Sequence, residues 1–371
     1  MMNITENTRK ILKLCRSKNV TSRVFFNLID LFDSVEESLD KIKFYNSRRK
    51  NTIEIASERE IDEELALLDK MNASIITFKD KNYPKLLLQT EDLPPVLTYI
   101  GNLDLLLKDT ISFVGSRSAS VNGMLFTKQV VKYLMDNTDV SIVSGFAKGI
   151  DFAAHSMSIP RTVAVLAGGV DHIYPRENQK LYHEVAENGL IISERKIGYQ
   201  ATAKDFPIRN RIIAGISVAT VIVEAGQKSG SLITANLALE QGKEIFAVPG
   251  SPLDDRSFGT NQLIREGANI LSHGQDIVDN LIMINKIKNR MQENSNVGYV
   301  RKNMNLKGIE ISNDVKDIVL SSLSYSLTRL EDILECTDLP LTVIHKCLLE
   351  LELCEKVVRA SQNRFCLKCN L

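Results

Sequence analysis

Thr220-Val-Ile-Val-Glu224, then Ser229-Gly-Ser-Leu-Ile-Thr234 and the helical run on to Gln241, read as a strand, a polar turn and a helix in succession. The first N–H groups of a helix lack intrahelical partners, and the macrodipole concentrates partial positive charge there. Glycine and hydroxyl residues at that point make an anion pocket. Ser229, Ser231 and Thr234 add hydroxyl donors, and Gly230 lets a ligand approach the backbone. The same residues also suit an ordinary helix cap. Recurrence separates the two readings, because comparable turns follow other strands in the same region.

From about residue 108 to 285, short β-rich runs alternate with helical ones. Strands are expected over 111–114, 140–143, 162–166, 190–193, 220–224 and 244–248. Helices are expected over 123–135, 150–158, 180–188, 208–215 and 231–241. That alternation is the mark of βαβ units and predicts an α/β fold with a doubly wound, Rossmann-like parallel sheet. Residues 1–107 carry helical periodicity (Ile11, Leu12, Cys15; Phe25, Leu28, Ile29, Phe32; Ile61, Leu65, Leu68) and close through Leu93-Pro-Pro95 as a connector. The polar stretch 286–307 reads as a linker, and 308–371 as a small terminal module.

The 371 residues are 44% hydrophobic and 25% charged, the composition of a globular protein with two or three domains. Lys+Arg and Asp+Glu balance at 46 each, so any anionic partner must be held by local clustering. The N-terminus has no apolar signal core and no run is long enough to span a membrane, so a cytoplasmic protein is expected. The six cysteines are irregularly spaced and read as reduced thiols. Cys366 and Cys369 have zinc-like spacing without a second ligand pair, so no metal is expected.

In open α/β sheets, ligands bind past the carboxyl ends of the strands. Polar residues collect there: Gly115-Ser-Arg117, Ser144-Gly-Phe-Ala-Lys-Gly-Ile-Asp151, Ser193-Glu-Arg-Lys196 and Phe206-Pro-Ile-Arg-Asn-Arg211. Arg117, Lys148, Arg195, Lys196, Arg209 and Arg211 thus share an edge with several helix N-termini. Singly, each cation fits a solvated surface as well. The chain has no G-x-x-x-x-G-K-[ST] and no G-x-G-x-x-G after the first strand, which removes support for a P-loop ATPase or a dinucleotide cofactor. A row of anion pockets suits a polymer of spaced phosphates. Phe146 and Phe206 are placed either to stack bases or to pack in the core.

The segments 115–117, 144–155, 162–171 with Tyr174-Pro175, 192–194, 206–215, 229–235, Val248-Pro-Gly250 and 261–268 together resemble the DNA-processing protein A (DprA/Smf) family, in order and approximate spacing. The resemblance implies a non-enzymatic, cofactor-free protein that binds and protects single-stranded DNA and loads the RecA recombinase on it during natural transformation and recombination. It also implies a homodimer formed through the late part of the α/β domain. Carried over, the phosphate-binding residues are Ser116, Arg117, Gly145, Phe146, Ala147, Lys148, Gly149, Lys196, Arg209, Asn210 and Arg211, with Ser229, Gly230, Ser231 and Thr234 completing the pocket. Asp151, His155, Glu194 and Glu224 are expected to support the loops rather than to catalyse.

The rival reading is a nucleotide phosphoribohydrolase of related Rossmann-like architecture. Such enzymes need a Pro-Gly-Gly-x-Gly-Thr run, where this chain has Glu224-Ala-Gly-Gln-Lys-Ser-Gly-Ser231. The N-terminal part resembles a SAM-like or helix-hairpin-helix module, but its hairpin, Lys18-Asn-Val-Thr-Ser22, lacks the family's glycines, which argues against close backbone approach to phosphate. The tail resembles a winged helix, with helices near 315–323, 330–334 and 341–351 and a hairpin after them. Its last helix suits a DNA groove or a protein contact.

Overall fold

A computed structural model describes residues 4–47, 51–282 and 312–368, the last range without 325, 338, 355 and 361–363. The expected linker, 286–307, and Cys369 lie outside these residues. The described residues fall into two compact units, one within Met1–Arg9 and Glu58–Ser295, the other within Lys10–Ser57 and Asn296–Leu371.

Helices α1 (Glu6–Arg16), α2 (Ser22–Phe32), α3 (Val35–Asn46) and α4 (Glu58–Lys70) open the chain. The hairpin between α1 and α2 closes without glycine because Asn19 takes a φ of 65°, a conformation that Asn tolerates. Its Lys18 N–H donates to Glu54 O (3.0 Å) and Asn19 Nδ2 to Thr52 O (2.8 Å), so the hairpin is held by its own domain. Ser34 caps α3, accepting from Glu37 N at 3.1 Å.

The first unit is built on a nine-stranded sheet. Its strands are β1 (Ser74–Thr77), β2 (Val96–Gly101), β3 (Thr110–Val114), β4 (Ser141–Ser144), β5 (Thr162–Val165), β6 (Leu190–Ser193), β7 (Ala219–Ile222), β8 (Glu244–Ala247) and β9 (Asn269–Ile270). The spatial order is β1-β2-β6-β5-β4-β3-β7-β8-β9. From β6 to β9 every pairing is parallel, whereas β2 runs antiparallel to both β1 and β6. Strands β3 to β7 are buried along their whole length, which is why they read as unbroken apolar or hydroxyl runs rather than as alternation.

Helices α5 (Val121–Asn137), α6 (Ile150–Ser158), α7 (Gln179–Asn188), α8 (Asp205–Ile216), α9 (Gly230–Glu240) and α10 (Phe258–Arg265) connect the strands. One core packs Val130, Val131 and Leu134 of α5 on Ile111, Phe113, Ile142, Val221 and Phe246. Another sets Leu181, Tyr182 and Val185 of α7 on Ala164, Leu166 and Ile191, with Leu68 of α4 joining them. The chain steps outward from β3 through β4 and β5 to β6, then α8 returns it to β7 on the far side of β3. The switch point therefore lies between β3 and β7, where an α/β sheet opens a crevice.

The doubly wound sheet is the fold expected from sequence, with one addition. Residues 74–101, read there as the end of a helical region and its connector, supply β1 and β2 and extend the sheet in antiparallel sense.

The second unit joins Lys10–Ser57 to the C-terminal module. That module comprises α11 (Asn313–Ser321), β10 (Thr328–Arg329), α12 (Leu330–Thr337), α13 (Leu341–Leu353), β11 (Val357–Ala360) and β12 (Arg364–Leu367), with its strands in the order β10-β12-β11. This is the element order of a winged helix. Val319, Ile333, Ile344, Cys347, Leu348, Leu351, Val357 and Phe365 form its core.

Candidate nucleic-acid interface

A cleft of about 570 Å³ opens at the switch point. Its walls are the end of β3 (Val114 to Arg117), the start of α8 (Phe206 to Asn210) and the start of α9 (Ser229 to Thr234). Three separate segments meet there because β3 and β7 are neighbours and α8 crosses between them.

The α9 wall is a helix terminus. Ser229 Oγ accepts weakly from Ser231 N (3.4 Å) and lies 2.7 Å from Ser231 Oγ, and Asn210 Nδ2 donates to Gly230 O at 3.4 Å. Nothing stands within 4 Å of the position a Gly230 side chain would take, so the backbone there faces open space. The other wall carries the cation. Arg117 is exposed, with its guanidinium 4.9 Å from the centre of the half-buried Phe206 ring. Phe206 in turn lies 5.4 Å from the ring of Tyr174, and Tyr174 lies parallel to His172 at 6.4 Å. Arg117, Phe206, Tyr174 and His172 form a continuous ladder, and Tyr174 within it is 48% exposed.

The loop after β4 shapes the floor. Asp151 Oδ2 accepts from Gly145 N (3.1 Å) and Ala147 N (3.2 Å), tying the loop to the first turn of α6. Gly149 has a φ of 75°, and a Cβ there would sit 2.3 Å from Ser116 O, so only glycine lets the loops after β3 and β4 touch. Arg209, 6% exposed, donates through Nη1 to Gly145 O (2.6 Å) and to Val165 O. Burial, with Arg117 nearby, draws its pKa down to about 10 against the pull of Asp151. Burial raises the Asp151 carboxyl pKa, and Arg209 opposes that. His155 Nδ1 lies 2.7 Å from Thr162 Oγ1; burial and then Arg209 lower its pKa to about 3, so the ring is neutral.

The sequence-predicted residues thus separate into groups. Ser116, Arg117, Ala147, Phe206, Arg209, Asn210, Ser229, Gly230, Ser231 and Thr234 line the cleft. Gly145 and Gly149 do not line it; their backbone shapes the loop that brings Ala147 there. Phe146 belongs to the core: it is fully buried, with φ 62°, and its ring packs 5.5 Å from His155 and 6.3 Å from Tyr182. Its side chain is therefore closed to a base, and only its backbone belongs to the loop. Arg211 turns to Glu194 (2.5 Å) and Asp92 (3.3 Å). Lys148 is exposed and paired with Glu177 at 2.7 Å, and Lys196 is exposed; neither lines the cleft. Glu224 accepts from Ser120 N (2.9 Å) and Ser120 Oγ (2.5 Å), fixing the start of α5. Arg195 pairs with Asp205 at 2.5 Å. Tyr174, Ala201, Ala203 and Pro207 line the cleft without having been singled out as binding residues, although Tyr174-Pro175 stood out in the sequence.

A family model described as DNA recombination-mediator protein A matches residues 74–282, more than half of the chain. The chain belongs to the DprA/Smf family. A second model, the DprA-like N-terminal HHH domain, matches residues 5–66. The DNA processing protein DprA of Streptococcus pneumoniae is 42% identical over 202 residues, 54% of this chain and 71% of that protein. Protein Smf of Escherichia coli is 37% identical over 60% of each chain. Among solved structures, DprA of Streptococcus pneumoniae matches with a TM-score of 0.62 and 31% identity, over 75% of this chain and 98% of that one. DprA of Helicobacter pylori, described by its single-stranded DNA binding mode, matches with a TM-score of 0.53 and 30% identity over 57% and 96%. The DprA/Smf match begins at the start of β1, so the antiparallel strands belong to the family fold. Among the described residues no helix is long and apolar enough to cross a membrane, and no group of three or more His, Cys, Asp or Glu is placed to hold a metal.

Proposed function

We propose that this chain binds single-stranded DNA, without reading its sequence, in the cleft between β3 and β7. The observation that carries the reading is the exposed Arg117–Phe206–Tyr174 ladder facing the open N-terminus of α9 across that cleft. A phosphate finds helix N–H groups, hydroxyls and a guanidinium, and a base finds a ring to stack on. Backbone and stacking contacts carry no base identity, so binding is sequence-tolerant. The chain has no catalytic role in this reading. Asp151, Glu194 and Glu224 each hold a loop amide, an arginine or a helix cap, which leaves them no part in hydrolysis. The strand so held is protected and passed to the RecA recombinase, in transformation and recombination, as family membership suggests. A homodimer is supported by the short edge strand β9, with Ile270 and Phe258 about half exposed and Leu253 97% exposed near it in sequence.

Titration of fluorescent single- and double-stranded oligonucleotides tests this, with wild type, Arg117→Ala and Arg59→Ala, a cation on an exposed i,i+4 pair with Glu63. The expected result is single-strand preference lost at least about tenfold in Arg117→Ala alone. Equal binding by all three proteins, or release of base from nucleoside monophosphates without oligonucleotide binding, refutes it.

A further inference from the structure

The C-terminal module ends its helical part with α13, the helix that a winged helix presents to a DNA groove. Such a helix buries one stripe in its own core and shows polar side chains on the other side. In α13 the stripe is Ile344, Cys347, Leu348 and Leu351, all within the module core. Leu349 and Leu353, one helical turn apart, fall on the opposite side of the helix. Leu353 is nevertheless only 8% exposed, and it is not part of the module core. Every described side chain of α13 is buried or half-buried. A helix apolar on two sides is a helix covered on two sides.

The cover comes from this chain. Leu31 and Phe32 of α2, Phe44 and Tyr45 of α3, and Glu350, Leu353 and Cys354 enclose one hollow of about 80 Å³. Charge continues the contact. Arg23, in the first turn of α2, and Arg359, on β11, both act on the half-buried Glu352 carboxyl. Lys316 of α11 takes Glu350 at 2.5 Å, so the acidic residues of the helix are held inside the unit.

We infer that the far face of α13 is a docking surface whose partner is the chain's own N-terminal pair α2–α3, so that the face a winged helix would lay on DNA is occupied. The module then joins the two ends of the chain, and DNA contact rests with the α/β unit. The sequence carried the signal in Leu349 and Leu353, which have no place in a stripe through Ile344 and Leu351.

Three native cysteines report on this in the full chain. Cys354 lines the hollow, Cys347 lies in the module core, and Cys336 is exposed. Maleimide labelling followed by mass spectrometry of each peptide is expected to find Cys354 slower than Cys336. Leu31→Asp and Phe44→Asp, both outside the module, are expected to speed Cys354 about tenfold, equivalent to ~1.4 kcal/mol of docking, with Cys347 still protected. An unchanged Cys354 rate in both variants overturns the inference. So does opening of Cys347 together with Cys354, because undocking leaves the module core closed. Protection of Cys354 by duplex DNA in the variants at the wild-type level also overturns it, since the helix would then be a groove reader.

Discussion

Arg117 lies exposed over the Phe206 ring, whereas Arg209 is buried and donates to the carbonyls of Gly145 and Val165. Removing the exposed guanidinium takes away its place over the Phe206 ring and, in the proposed function, a phosphate contact. Removing the buried one leaves a loop carbonyl, a strand-end carbonyl and the Asp151 carboxylate without their cation. Arg209→Leu is therefore expected to cost about 3–5 kcal/mol of stability, read by urea unfolding, against less than ~0.5 for Arg117→Ala. Comparable costs for the two would show that Arg209 is not a structural tie. His155 gives a pH test. Its pKa in the fold, about 3, lies below the ordinary 6.5, so between those values the unfolded chain holds a proton that the folded chain lacks. Stability from this group is complete above 6.5 and falls as pH drops, by at most ~1.4 kcal/mol per pH unit. Asp151 acts in the opposite sense, because its raised carboxyl takes up a proton more readily in the fold, so the test is the difference between variant and wild type below pH 6.5, where the Asp151 contribution is common to both. In that window His155→Gln is expected to flatten the stability profile; an unchanged slope in chemical denaturation would refute a buried neutral ring.

Helix α9 separates binding from stability within one element. Gly230 is its first residue, with open space where a side chain would go. An aspartate there complements the helix dipole and restricts the unfolded chain, so Gly230→Asp is expected to unfold no lower than wild type, with a gain of roughly 0.3–1 kcal/mol. The same charge faces the incoming phosphate, so single-strand affinity should fall at least about tenfold. A variant with both properties unchanged would remove α9 from the interface. Elements also mark what the sequence could tell. Strands β3 to β8 were legible because each is a compact β-branched run between helical periods. Strand β9 is only two residues long, β1 follows directly on the periodicity of α4 and pairs with β2 alone, and β2 follows Leu93-Pro-Pro95, which reads as connector until β6 is beside it. That the polar turns after the strands share one edge was legible, since α/β topology puts them together. Which ring faces solvent was not. Phe146 and Phe206 stand in similar company, and only the positive φ at one and the neighbouring Tyr174 at the other decide between core and cleft.

A chain with 46 basic and 46 acidic residues draws DNA through no field of its own, so the salt dependence of binding counts local cations. Arg117 stands at the cleft, and Lys148 and Lys196 are exposed on loops that follow β4 and β6. Lys148 is paired with Glu177, but both groups are exposed, and such a pair yields to phosphate at little cost. If these three follow one strand, log affinity should fall against log salt with a slope of roughly −2, at about 0.7 per phosphate neutralised on single strands. Lys148→Ala and Lys196→Ala should each flatten the slope by about 0.7, with no preference among base sequences. Oligonucleotide length then tests the assembly. A homodimer offers two such tracks, and a strand long enough to reach both should bind with a slope of roughly −4, the step appearing at one length rather than growing smoothly. A dimer-breaking change at the exposed Ile270 of edge strand β9, such as Ile270→Asp, should remove the step and keep the single-track slope. A step that survives in a chain shown by light scattering to be monomeric would place the second track on the same chain, and a slope near zero at every length would leave stacking on Phe206 and Tyr174 as the source of affinity.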